Sequence, residues 1–254
     1  MRRMFIITAI LFITMPRQCG AWGAKGHGMV AEIAFSMLDS ATQHRIMSYI
    51  SDMTIEQAAS WMDEMRSDHR YDYMKPWHYI NIEKGASYTP GKDENVINEI
   101  IKAQHDLANK AGMDNDAIRK DILVLMHLVG DMHQPLHVGY ADDKGGNAVN
   151  VTYLDHNSNL HRVWDSEIID HEHITLSDCM KRLHKMDKDE IAMFSNTNVE
   201  SWIRQPRSQL AGVYDFQNNT IDASYSAKNK SVVEDDLVVA GIRLAAILRE
   251  AFKA

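Results

Sequence analysis

The sequence predicts an all-α protein, a single-domain multi-helix bundle with one short β-hairpin near residues 145–154. Two observations predict it: apolar residues recur at helical spacing in four long stretches, and only residues 145–154 alternate around valine as a strand does. Met29, Val30, Ile33, Ala34, Met37 and Leu38 form the first stripe. Val96, Ile97, Ile100, Ile101 and Leu107 form the second, with Asp93 as its expected N-cap. Ile118, Ile122, Leu125, Met126 and Val129 form the third. Asp114 is placed to cap its start, and Pro135 should stop it near Gln134, because the residue before a proline leaves the helical region. Leu237, Val238, Gly241, Ile242, Leu244, Ala245 and Leu248 form the fourth. The remainder reads as helices and loops, and no repeat, low-complexity tract or linker divides the chain.

At 254 residues, 45% hydrophobic and 24% charged, the chain can bury a sizeable core, which excludes a disordered or fibrous protein. Its start, Met1-Arg2-Arg3 followed by an apolar run and then Cys19-Gly20-Ala21, reads as a secretory signal peptide over residues 1–21. The run falls short of the ~20 residues needed to span a bilayer, so a protein without a membrane anchor is expected in the secreted or periplasmic space. Removing residues 1–21 takes away three arginines and no acids, moving the formal charge of −8 further negative. Such a chain has no basic groove for nucleic acid, so a phosphate ligand would need another counter-charge, and bound metal ions are the obvious one. Cleavage also leaves Cys179 alone, so no internal disulfide is expected.

Thirteen histidines are the unusual feature of the composition. His127 and Asp131 are four residues apart, on one face of a helix, which suits two ligands to one metal as well as a helix-end pair. Their segment is otherwise apolar, where an unpaired carboxylate would be costly to bury, and this raises the metal reading. His161 and Asp165 repeat the spacing, and His137 lies between the pairs. Upstream, Asp63 and His78 each stand near a tryptophan, as site residues or as a solvated acid and a core histidine. Cleavage after Ala21 would free the amine of Trp22, which with its own carbonyl can chelate a metal, and His27 follows five residues later.

Six segments in this order resemble the zinc-dependent single-strand nucleases and 3′-nucleotidases of fungi, plants, protozoa and bacteria, relatives of the zinc-dependent phospholipases C. They are Trp-Gly-Ala-x-Gly-His from Trp22, Ser-Trp-x-Asp-Glu-x-Arg from Ser60, Trp-His-Tyr-Ile-Asn from Trp77, His-x-x-Gly-Asp-Met-x-Gln-Pro-Leu-His from His127, Gly-Gly-Asn-x-x-Asn-Val from Gly145 and Leu-His-x-x-Trp-Asp from Leu160. The resemblance implies three zinc ions per chain. One would be held by Asp63, His78, His127 and Asp131. A second would take the amine and carbonyl of Trp22 with His27 and Asp131 as a bridge, and a third His137, His161 and Asp165. His133, His171 and His173 are given no ligand role.

By the same resemblance the chain would cleave single-stranded DNA and RNA to 5′-phosphorylated nucleotides, through a hydroxide shared by two zinc ions. Nucleoside 3′-monophosphates would lose their phosphate by the same route. Asp63 would orient the nucleophile or accept its proton, and Arg66 would contact the phosphate; an ion pair with Asp63 or Glu64 is the plainer role for Arg66. Tyr79 would stack on an unstacked base, and Asn147 would make a polar contact. Asn81 stands at a base-binding position where the fungal enzymes carry an acid, so their base preference does not transfer. A monomer is expected. A phospholipase C and a non-catalytic zinc-binding protein are the alternative functions.

Overall fold

The computed structural model describes residues 22–253. Residues 1–21, expected to form a cleaved signal, lie outside the described residues. The first helices are α1 (Ala24–Ser36), α2 (Ser40–Tyr49) and α3 (Ile55–Glu64), and the chain then passes through tight turns at Met65–Ser67 and His69–His78. Helices α4 (Val96–Ala108) and α5 (Asn115–His133) follow, then a turn at Pro135–Val138 and strands β1 (Asn150–Tyr153) and β2 (His156–Asn159). Helices α6 (Leu160–Arg162) and α7 (Ile168–His171) are joined without a break through a widened π-turn at Val163–Glu167. The chain ends with α8 (Leu176–Leu183), α9 (Lys188–Phe194), α10 (Val199–Trp202), α11 (Arg204–Val213), β3 (Thr220–Ile221) and α12 (Ala223–Phe252).

The four apolar stripes fall on α1, α4, α5 and α12, as their spacing predicts. Side-chain caps explain where several helices begin. Thr54 and Gln57 form a reciprocal capping box at α3, and the Asp114 carboxylate accepts from Ala117 N at α5. The cap of α4 is Asn95 and not Asp93: the Asn95 side chain accepts from the amides of Ile97 and Asn98, while Asp93 offers its backbone carbonyl to Asn95 and Asn98. Helix α5 stops at His133 and Gln134 is extended, because Pro135 follows.

The hairpin has its first strand inside residues 145–154, as expected, and its second strand just beyond them. It pairs Asn150 with Asn159 through Tyr153 with His156, antiparallel, while Gly145 and Gly146 adopt positive φ and form a tight turn against Leu136. The two-residue β3 adds to β1 in parallel, an element too short to leave a periodic signal.

One hydrophobic core runs from Trp22 to Phe252. Helices α1, α3 and α12 pack on α5, which is buried along almost its whole second half. At Gly241 a Cβ would strike Ile33, so this glycine lets α12 approach α1 closely. Among the described residues no helix is long and apolar enough to cross a membrane. The consequence of this packing is that α1, α3 and α5 bring polar side chains from three directions to one buried point.

Candidate metal centre

Helix α1 supplies His27, α3 supplies Asp63, the turn at its end Arg66, and the following turn His78. Helix α5 supplies His127 and Asp131, the Pro135 turn His137, and α6 with its π-turn His161 and Asp165. His27, His127 and Asp131 have no exposed surface, and His78, His137, His161 and Asp165 are also buried. The donor atoms of His27, Asp63 and His127 lie within 4.8 Å of one another, as do those of His78, His127 and Asp131, and those of His137, His161 and Asp165. The first two groups share His127 and form one cluster. The third sits beside it, with His137 Nδ1 4.0 Å from Asp131 Oδ1. Trp22, also buried, packs against the same point, its Cδ1 3.7 Å from where a Cβ on Gly130 would stand.

Backbone carbonyls fix the orientation of three of the imidazoles. His127 Nδ1 donates to Ala59 O at 2.8 Å, His137 Nδ1 to His78 O at 2.6 Å and His161 Nδ1 to Gly145 O at 2.7 Å. Each bond holds the Nε2 lone pair toward the carboxylates, as in metal-binding histidines. His127 Nε2 lies 3.4 Å from Asp131 Oδ2, His161 Nε2 3.3 Å from Asp165 Oδ2, and His137 Nε2 3.6 Å from Asp165 Oδ1. His27 Nε2 is 3.2 Å from Asp131 Oδ1, and His78 Nδ1 is 2.9 Å from Asp131 Oδ2.

Among the described residues, both ring nitrogens of His27, Asp131 Oδ1, His137 Nε2 and Asp165 Oδ2 at the centre are buried without a hydrogen-bond partner. Buried polar atoms without partners are rare and destabilising, so a concentration of them around three carboxylates is a cavity built for a cation. Imidazole nitrogens and carboxylate oxygens are a donor set that suits zinc. The residues therefore fit the metal.

Charge is arranged to match. Burial drives His127 down to about 3, so its imidazole is neutral, and burial lowers His161 as well. Burial opposes the charge on Asp131, but the surrounding histidines, His127 first and then His137, hold its carboxyl well below the usual range. Asp63 is lowered in the same way, with burial opposed by His127 and His27. At His137 burial pulls downward, but Asp131 and Asp165 outweigh it and raise the imidazole to about 9.

The cluster opens on a cleft of about 520 Å³ lined by Arg66, His78, Tyr79, Asn81, Leu136, His137, Lys144, Asn147 and His161. Arg66, Tyr79, Asn81 and Asn147 thus meet in one place although they come from three segments. Arg66 Nη1 donates to Asp63 Oδ1 at 3.2 Å, and Tyr79 is exposed.

Three supporting features escaped the sequence reading. Buried Gln134 donates to Asp165 Oδ1 and accepts from Leu136 N, tying the end of α5 to the third group. Its place between Asp131 and His137 in the motif is the signal that could have found it. The π-turn widens the helix at Asp165, a distortion common at functional sites that has no sequence pattern of its own. Gly130 lies between His127 and Asp131 on the centre's face of α5, where a Cβ would stand 2.7 Å from His27 Nδ1. His133 points elsewhere: its Nδ1 donates to Val129 O and its Nε2 accepts from Arg243.

The family model described as S1/P1 Nuclease matches residues 22–253. Endonuclease 2 of Arabidopsis thaliana is 30% identical over 186 residues, covering 66% of this chain and 62% of its own length. Endonuclease 5 of the same plant is 25% identical across 99% of this chain and 97% of its own length. Nuclease S1 of Aspergillus oryzae is 28% identical over 58% of this chain and 54% of its own length. The match to Endonuclease 2, like that to Nuclease S1, thus spans less than two thirds of the relative. With a family model matched over all of residues 22–253, the chain belongs to the S1/P1 nuclease family.

Proposed function

We propose that the chain is a zinc-dependent phosphodiesterase that cleaves single-stranded DNA and RNA to 5′-phosphorylated nucleotides and removes phosphate from nucleoside 3′-monophosphates. The observation that carries this reading is the buried His/Asp cluster whose His78, His137 and His161 line a cleft that also gathers Arg66, Tyr79, Asn81 and Asn147. Three zinc ions are assigned. Asp63, His78, His127 and Asp131 hold one; the amine and carbonyl of Trp22 hold another with His27 and Asp131; His137, His161 and Asp165 hold the third. Bound zinc supplies a water of lowered pKa and a positive charge for phosphate oxygens.

The chain's own residues do the remaining work. Asp63, its carboxyl held low and bonded to the cleft residue Arg66, orients the attacking water or accepts its proton. Arg66 donates to the phosphate from one turn further on, its guanidinium aligned by Asp63. Tyr79 offers an exposed ring for a base, which only an unstacked strand can present, and Asn81 and Asn147 offer amide donors and acceptors to base or phosphate. Cleavage after Ala21 delivers a secreted or periplasmic monomer with a free Trp22 amine. One additional residue before Trp22 is therefore expected to remove one zinc and most of the activity; full activity with a tagged Trp22 would exclude that ligand.

Zinc content per chain, paired with hydrolysis of single-stranded DNA before and after chelation, tests the reading. Three zinc ions with chelator-sensitive cleavage supports it. Zinc with turnover of phosphatidylcholine but not of DNA replaces it with a phospholipase C, zinc without turnover of either leaves a binding protein, and one ion or none overturns the ligand sets.

A further inference from the structure

Residues 69–79 join the candidate metal centre to an unusual stretch of surface. Among the described residues the exposed large hydrophobic side chains are Tyr73, Tyr79 and Met193, and two of these three lie on this one segment. The segment begins three residues after Arg66 and ends at Tyr79, and both of these line the cleft.

The aromatic rings are held in a row. Trp61 and Tyr71 meet edge to face at 5.5 Å, Tyr71 and Tyr73 at 6.5 Å, and Tyr73 and Trp77 edge to face at 5.3 Å. Lys120, on α5, places its ammonium 5.1 Å from the ring centres of both Tyr73 and Trp77. Tyr73 is thereby fixed from two sides while close to half of it, 46%, faces solvent. A fixed, exposed ring is a poor use of apolar surface in an isolated chain and a good platform for a planar partner, since little side-chain freedom remains to be lost on contact.

Local charge on this face is balanced, whereas the chain as a whole is acidic. His69, Arg70 and Lys75 lie on the segment and are paired with carboxylates, Arg70 with the preceding Asp68 and both Lys75 and His69 with Asp72. Lys120 stands above it, within the field of Glu99 and Asp121 on the side of α4 and α5. Rings interleaved with cations are the pattern that binds single strands without reading sequence, the rings taking bases and the cations taking phosphates.

We propose that the face of residues 69–79 binds the part of a single-stranded nucleic acid that extends beyond the cleft, with Tyr73 stacking on a base and Lys120, beside that ring, meeting a phosphate. The proposal rests on the nuclease reading for its occupant, but its test does not depend on turnover. Zinc-loaded protein is titrated with a fluorescent phosphorothioate oligothymidylate of about twelve nucleotides, and binding is read by anisotropy. Tyr73→Ala is expected to weaken binding about tenfold, the effect of losing one base stack, while Tyr73→Phe, which keeps the ring, binds as wild type. A duplex of the same length should show no dependence on Tyr73, and turnover of a dinucleotide, which ends within the cleft, should be unchanged. Equal oligonucleotide affinity in wild type and Tyr73→Ala overturns the proposal, as does absence of oligonucleotide binding in the wild type. Tyr73-dependent binding without any DNA hydrolysis would instead overturn the nuclease reading and keep this surface.

Discussion

Helix α5 carries two fully buried histidines in different surroundings. His127 and His133 share the helix, the burial and even a first hydrogen bond, since the Nδ1 of each donates to a backbone carbonyl. Burial lowers both, His127 to about 3 and His133 well below its ordinary value, with Arg243 adding to the effect at His133. The second nitrogen separates them. His127 Nε2 faces Asp131, Asp63 and His78 Nδ1, and its ring stacks on His27 at 3.8 Å. His133 Nε2 accepts from Arg243, whose guanidinium also lies over Trp202, and beyond it Gln205 and Gln209 hold Asp236. The first region sets imidazole nitrogens against several carboxylates, while the second satisfies its histidine with Arg243 and leaves unpartnered atoms only on Arg243, Asp236 and the two glutamines. Burial alone therefore does not identify a ligand; an unused lone pair aimed at other donors does.

Breaking the first region should have the largest effects. Asp131→Ala removes a carboxylate that approaches His27, His78 and His127 at once, so it is expected to lose at least two zinc ions and essentially all hydrolysis. Full zinc content by elemental analysis would refute the bridging role. Gln134→Ala leaves all ligands in place but frees Asp165 from its orienting bond, and a loss of about 10–100-fold in activity or zinc affinity is expected. Gly130→Ala should weaken zinc binding at the buried cluster while leaving the His137 group loaded, because only His27 stands in the path of the new methyl. A chelator titration that distinguishes the first ion lost would check this.

Much of this contrast was legible in the sequence. Apolar spacing located α1, α4, α5 and α12, and Pro135 located the end of α5. Spacing by four placed His127 with Asp131 and His161 with Asp165, since a helix turn fixes that geometry locally. What spacing could not do was exclude His133, two residues after Asp131, because the direction of its free nitrogen is decided by Arg243 on α12, more than a hundred positions away. The π-turn at Asp165, the strand β3 and the cap at Asn95 escaped for a related reason: each depends on tertiary contacts or on a side chain's choice between neighbouring amides. The exposed ring of Tyr73 was equally silent, because a tyrosine in a turn reads the same whether its face is covered or open.

The second region should respond in stability and not in metal content. His133→Leu leaves the buried Arg243 guanidinium without its acceptor, which is expected to cost about 1–3 kcal/mol of stability with zinc content unchanged. Asp236 gives the most specific effect, one that shows only as a difference in pH dependence. Burial raises its carboxyl to about 8, so between its unfolded value near 4 and 8 the folded chain keeps a proton that the unfolded chain releases. Stability from this group is complete below that window and declines as pH rises through it, by at most about 1.4 kcal/mol per pH unit. Asp236→Asn keeps the oxygen to which Gln205 and Gln209 donate and removes the titration. The melting temperature of the variant should therefore gain on wild type as pH rises from 5 to 8, whereas parallel curves would show that Asp236 is already ionised, held so by Arg243.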